Sequence, residues 1–148
     1  MILFFDTSAL IKFFHEEEGT EAVTGLIHNE ENEIWISEVA GVEFLSALYR
    51  RFRNNEINQN ELEITISAFD EQFMSFNIEP FGDVTINEAK ILLKKYGKTK
   101  GLRTLDAFQL GAFTLICDED WSFVTSDTRL CNIAEQIGLR TINPLKQS

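Results

Sequence analysis

Short continuous apolar runs alternate along this chain with longer stretches in which apolar positions recur every three or four residues, a pattern that predicts strands and helices in turn. Ile2 to Phe5 is one such run, stopped by Asp6 and Thr7; it reads as a strand covered on both faces, with Asp6 at its carboxyl end. Ser8 is placed to cap a helix running to about His15, and Thr20 to Asn29 reads as a second helix. Ile34 to Ile36 is the next strand. Ser37 is placed to cap a long helix reaching about Arg53, in which Val39, Val42, Leu45, Tyr49 and Phe52 recur at helical spacing and Glu43 falls in the second turn.

Further along, Leu62 to Phe73 has helical periodicity, Phe76 to Phe81 reads as a strand, and Ile86 to Tyr96 as an amphipathic helix stopped at Gly97. Thr104 is placed to cap an apolar helix from Leu105 to Cys117. Ser122 to Thr125 reads as a strand, Thr128 to Ile137 as a helix, and Leu139 to Ile142 as the strand that closes the sheet. Strands and helices in alternation imply an α/β layered fold. Ligands of such sheets sit at the carboxyl ends of strands, where Asp6 and Asp127 fall.

The chain has 148 residues, 44% of them hydrophobic and thirteen of them Phe, which suits one domain over residues 1–148 with a sizeable core. Met1 to Phe14 carries Asp6 and lacks a basic leader and a small-residue cleavage site, and charges interrupt every apolar run short of a membrane span. These features place the protein in the cytoplasm, with no membrane contact. Cys117 and Cys131 lie in apolar helical patterns without zinc-type spacing and read as buried reduced thiols. The formal charge of −11 argues against holding nucleic acid by general attraction. That objection weakens where bound cations neutralise some acids and the bases are gathered, as in Arg50, Arg51, Arg53 and Lys94, Lys95, Lys98, Lys100, Arg103. An acidic total also suits a basic protein partner.

Most acids lie in mixed polar stretches and read as solvated surface. Asp6, Glu43 and Asp106 differ, each being the sole charged residue of an apolar stretch. A carboxylate against an apolar core costs several kcal/mol of solvation unless paired or metal-bound. Each also has a plainer reading: Asp6 as a turn residue, Glu43 paired with Arg50 or Arg51 and rivalled by Glu38, Asp106 as a first-turn acid favoured by the helix dipole, and Asp127 as an N-cap. If the four converge, repulsion raises their pKa values unless a cation sits among them. With oxygen ligands only, that cation is Mg²⁺ or Mn²⁺ before zinc. His15 and His28 lie among surface-type residues, and no Gly-rich phosphate loop is present.

Four segments together resemble the PIN-domain family, in particular the VapC-like toxin ribonucleases of type II toxin–antitoxin pairs. They are Phe5-Asp6-Thr7-Ser8-Ala9-Leu10, Ser37 followed by Glu43, Leu102-Arg103-Thr104-Leu105-Asp106-Ala107-Phe108-Gln109-Leu110, and Thr125-Ser126-Asp127 before Leu130. The resemblance covers nearly the whole chain and implies a three-layer α/β fold, with a central parallel sheet of about four or five strands flanked by helices. It carries the acidic quartet onto Asp6, Glu43, Asp106 and Asp127 as catalytic residues and ligands of Mg²⁺ or Mn²⁺. Thr7, Ser8 and Thr125 fall where the family has hydroxyls near the metal, with capping as the alternative. The resemblance further implies a homodimer and a cognate antitoxin that wraps the enzyme with a flexible segment.

The expected reaction is in-line hydrolysis of an RNA phosphodiester assisted by one or two metal ions, with Arg50, Lys100 and Arg103 as candidate RNA contacts. A PIN-like RNA-processing nuclease without a toxin role is one alternative. A phosphatase using Asp6 as covalent nucleophile is another, although that chemistry usually wants an Asp where Ser8 stands. A degenerate protein-binding module is the third, against which the intact quartet counts.

Overall fold

Leu3 and Phe5 project from one face of the first strand and Phe4 from the other, and all three are fully buried, so both faces of the sheet are covered. The computed structural model describes residues 1–146. In chain order the elements are β1 (Ile2–Phe5), α1 (Thr7–Phe14), α2 (Thr20–His28), β2 (Glu33–Ser37), α3 (Ala40–Arg53), α4 (Gln59–Phe73), β3 (Asn77–Glu79), α5 (Asp83–Lys100), α6 (Thr104–Ile116), β4 (Trp121–Val124), α7 (Thr128–Gln136) and β5 (Thr141–Ile142). The five strands form one parallel sheet in the order β3-β2-β1-β4-β5. The three-layer α/β expectation holds, with five strands.

One core packs Leu3, Phe5, Ile34 and Ile36 against α1 to α4, where the Phe44 and Phe69 rings stack at 3.8 Å. The other packs Phe4 and Phe123 against α5, α6 and α7 through Leu92, Leu110, Phe113 and Leu130. Among the described residues no helix is long and apolar enough to cross a membrane. Both cysteines are free thiols, Cys131 buried and Cys117 half-buried.

Several boundaries differ from the pattern-based reading. Asp6, not Ser8, caps α1, because its carboxylate already reaches the Ala9 N–H. Ser37 closes β2 and its hydroxyl accepts from Val39 N–H, so α3 starts at Ala40 without a side-chain cap and Glu43 belongs to its first turn. The buried face of α3 is Ala40, Phe44 and Leu48, while Val42 and Tyr49 are exposed. Thr104 is the first residue of α6, and Arg103 occupies its cap position. Gly97 lies inside α5, which runs on to Gly101; there a φ of +72° turns the chain and the N–H bonds back to Tyr96 O.

Candidate active site

The strand order reverses direction at β1 and β4, so the connections on either side leave a crevice at the carboxyl ends of those two strands. Pairing of Phe5 with Val124 sets Asp6 and Thr125 side by side immediately beyond the sheet, where Asp6 N–H donates to Val124 O at 3.0 Å. The Asp6 side chain is buried and held by three donors. Ala9 N–H and the Ser8 hydroxyl reach Oδ1 at 3.0 and 2.7 Å, and the Thr125 hydroxyl donates to Oδ2. Ser8 Oγ also accepts from Ser126 N–H, and Thr125 Oγ1 from Asp127 N–H, each at 3.1 Å. The two loops are thus laced together through hydroxyls. Burial outweighs these bonds and, with the nearby charge of Asp127, pushes the Asp6 carboxyl from 3.8 up to about 6.

Glu43 faces the same crevice from the first turn of α3. Gln109 Nε2 donates to Glu43 Oε1 at 2.7 Å and to Thr7 Oγ1 at 3.0 Å, linking α6, α3 and α1. Burial, then the charges of Asp6 and Asp106, push the Glu43 carboxyl from 4.5 up to about 7. Gln109 is itself buried, and its Oε1 has no hydrogen-bond partner among the described residues.

Asp106 stands in the first turn of α6, three residues before Gln109 and on the same helix face. Its Oδ2 accepts from Arg129 Nη2 at 2.8 Å, with Arg103 Nε at 4.0 Å. Burial and the Asp127 charge raise the Asp106 pKa, while the two arginines lower it. Asp127 caps α7 by accepting from Leu130 N–H at 3.1 Å, as its sequence context predicts.

The four acids form a closed ring of electrostatic neighbours, in which Asp6 feels Asp127, Asp127 acts on Asp106, Asp106 on Glu43, and Asp6 on Glu43. The fold brings them into one neighbourhood without drawing them into one ligand shell. Among the described residues no three such side chains stand at metal-holding spacing, and each carboxylate accepts from a protein donor of its own. The donor set nonetheless fits a hard divalent cation: the ligand atoms are all oxygen, three of the acids are pushed upward, and Asp106 already holds a positive group.

A cleft of about 730 Å³ opens beside the acids and is lined by Glu43 and Asp106 as well as by Lys12, Arg50, Arg51 and Arg103. Of the candidate RNA contacts, Arg50 and Arg103 line it, whereas Lys100 ends α5 outside the lining. Thr7, Ser8 and Thr125 each touch the acids or their donors. Glu38, the rival to Glu43, is exposed in the turn before α3. His28 is exposed and His15 half-buried, both away from the ring. Two participants escape the reading of carboxylates alone. Gln109 is uncharged, and only its spacing from Asp106 marks it; Arg129 reads as an ordinary surface residue of α7.

A family profile described as PIN domain matches residues 3–136. No curated protein matches the chain in sequence. Among solved structures, FitAcB from Neisseria gonorrhoeae is similar with a TM-score of 0.70 and 17% identity over 99% of this chain and 100% of that one. VapBC2 from Rickettsia felis, bound to a DNA fragment from their promoter, gives 0.67 and 16% over 97% and 98%. A toxin–antitoxin complex from Klebsiella pneumoniae gives 0.64 and 16% over 98% and 99%. At such identities the likeness is one of fold.

Proposed function

The chain belongs to the PIN-domain family, and we propose that it is a divalent-metal-dependent endoribonuclease, the toxin of a type II toxin–antitoxin pair. In this reading residues 1–148 form one cytoplasmic nuclease domain that acts on RNA, assembles as a homodimer and is silenced by a cognate antitoxin. The observation that carries it is the ring of Asp6, Glu43, Asp106 and Asp127 at the point where strand order reverses, beside a cleft that also holds bases. The folds named above, from toxin–antitoxin assemblies, support the toxin branch.

Asp6, Glu43, Asp106 and Asp127 would hold Mg²⁺ or Mn²⁺. Once bound, the ion supplies Lewis acidity toward the phosphoryl oxygens and lowers the pKa of its water. The chain's own contribution is to position the acids. Ser8, Thr125 and Ala9 N–H fix both oxygens of Asp6, and Gln109 fixes Glu43. Glu43, oriented by Gln109, faces the crevice, where its carboxylate would bind the ion directly or through a water. Arg103 and Arg50 are placed to hold phosphates flanking the scissile one. Ser8 donates to Asp6, where an aspartate phosphatase would need a second acid.

Purified protein freed of partner is expected to cut RNA with Mn²⁺ or Mg²⁺, to stop in EDTA, and to lose cleavage in Asp6→Asn and Asp106→Asn. Absence of metal-dependent cleavage by the wild type, with both variants matching it in metal binding, would overturn the reading. Growth arrest by the wild type but not by Asp6→Asn tests the toxin role.

A further inference from the structure

A protein of net charge −11 needs its bases in the right place to hold a polyanion. Four of its thirteen Lys and Arg residues line the cleft that carries Glu43 and Asp106, namely Lys12, Arg50, Arg51 and Arg103. Arg103 lies beside the acids. The other three lie further along: Lys12 is four residues past Ser8 on α1, and Arg50 is seven past Glu43 on α3, about 10 Å at helical rise. The cleft thus runs from Glu43 and Asp106, in the first turns of α3 and α6, to bases in the later turns of α1 and α3.

Three donor contacts at the basic end converge on one oxyanion. Lys12 Nζ reaches Glu17 Oε1 at 3.1 Å, and Arg51 Nη2 reaches the two oxygens of Glu17 at 3.4 and 3.2 Å. The Lys12 side chain is only 9% exposed, unusual for a residue that ordinarily keeps its head in water. The loop carrying Glu17 passes close over it at Gly19, where φ is +94° and an added Cβ would stand 3.1 Å from Lys12 Cδ. Lys12 and Arg51 are therefore held in place, and what they hold is a carboxylate on a loop between helices, with the exposed Arg50 beside them in the same cleft.

We infer that Lys12, Arg50 and Arg51 form a subsite for a non-scissile backbone phosphate of the RNA strand, for which the Glu17 carboxylate is the resident stand-in. The inference rests on the nuclease reading and adds where the strand leaves the acids. A phosphate matches the arrangement because it offers several oxygens to a guanidinium fork and an ammonium at once. Glu17 keeps the bases gathered without RNA and must yield when the strand arrives. It also lowers affinity for arbitrary polyanions.

The test uses the full chain in EDTA, a fluorescein-labelled oligoribonucleotide, anisotropy at several salt concentrations, and a thermal melt of each variant. Lys12→Met and Arg51→Met are expected to weaken binding about tenfold and to reduce the salt slope by about one each. Glu17→Gln is expected to melt lower yet bind RNA several-fold more tightly, an outcome that a mere brace between helices does not produce. Arg50 is exposed and has no ion-pair partner among the described residues. Arg50→Met therefore serves as the arm if Lys12→Met fails to fold, with the same weakening expected. Unchanged RNA affinity in folded Arg50→Met and Glu17→Gln overturns the subsite. So does Lys12-dependent capture of polyglutamate with RNA binding unaffected. Mn²⁺-dependent cleavage by the wild type, lost in Asp6→Asn, leaves the nuclease reading standing in either case. A wild type that neither binds nor cuts RNA removes both.

Discussion

Arg129 on α7 donates through Nη2 to Asp106 Oδ2 on α6 at 2.8 Å, and its Nη1 donates to Gly101 O at 3.0 Å. The guanidinium is therefore fixed at both ends of its fork. It occupies the second position of α7, where the positive end of the helix dipole opposes a cation, so the acids must compensate. Arg129 is the counter-ion of Asp106, and a divalent ion bound there as proposed would have to displace it. Arg129→Ala is expected to bind Mn²⁺ several-fold more tightly in calorimetry while its metal-free form melts lower. Equal or weaker Mn²⁺ affinity would show that the pair does not oppose the metal.

The raised acids make a second prediction, on stability against pH. A carboxyl whose folded pKa lies above its unfolded one binds more protons folded than unfolded, so stability falls as pH rises through the gap. For Asp6 the gap runs from 3.8 to about 6, and for Glu43 from 4.5 to about 7. The metal-free protein should lose melting temperature steadily between about pH 4 and 7. Asp6→Asn should remove part of that slope and regain, at pH 8, on the order of a few kcal/mol. Melts in EDTA that stay flat over this range, or an Asp6→Asn slope equal to the wild type's, would refute the assignment.

Much of this site was legible in the sequence because charge inside an apolar stretch is a strong signal. Asp6, Glu43 and Asp106 stand out that way, and Asp127 by its place after a strand, and the fold leaves each within electrostatic reach of at least one other of the set. What stayed hidden depends on tertiary packing. The spacing of Val39, Val42 and Tyr49 is helical, but Ala40, Phe44 and Leu48 are equally so, and only the Phe69 ring lying on Phe44 decides which stripe is buried. Ser8 and Thr104 are good caps by type, yet Asp6 and Arg103 take those positions, because the helix begins two residues earlier in the first case and one in the second. A neutral Gln109 gives no charge signal, and Arg129 gains meaning only once α7 is set against α6.

Gln109 carries the third prediction. Its amide donates to Glu43 and so favours the ionised carboxylate. Gln109→Leu removes the donor to Glu43 and Thr7 together with an amide oxygen that has no partner among the described residues, so the metal-free fold should lose stability at pH 8, where Glu43 is ionised, and little at pH 4, while the Glu43 pKa rises further. In EDTA the fall of melting temperature with pH should therefore continue to higher pH than in the wild type. An equal loss of melting temperature at every pH would indicate that Gln109 acts by placing Glu43 in space rather than by setting its charge.

The last prediction concerns how a buried carboxylate is kept in place before any metal arrives. Thr125 is fully buried, donates to Asp6 Oδ2, and accepts from Asp127 N–H, so one hydroxyl orients one acid and the backbone of another. Thr125→Val keeps the shape and removes both bonds. Loss of a charge-assisted donor to a buried acid costs about 1.5–3 kcal/mol, and the Asp127 N–H is also left without its acceptor. If the hydroxyl acts chiefly through the Asp6 charge, the cost should be large at pH 8, where Asp6 is ionised, and small at pH 4, where it is protonated. In the Asp6→Asn background the same Thr125→Val change should cost distinctly less at pH 8, giving a coupling of more than about 1 kcal/mol in a double-mutant cycle. Additive losses, independent of pH, would assign Thr125 to the backbone of the β4–α7 turn alone and leave Asp6 held by Ser8 and Ala9.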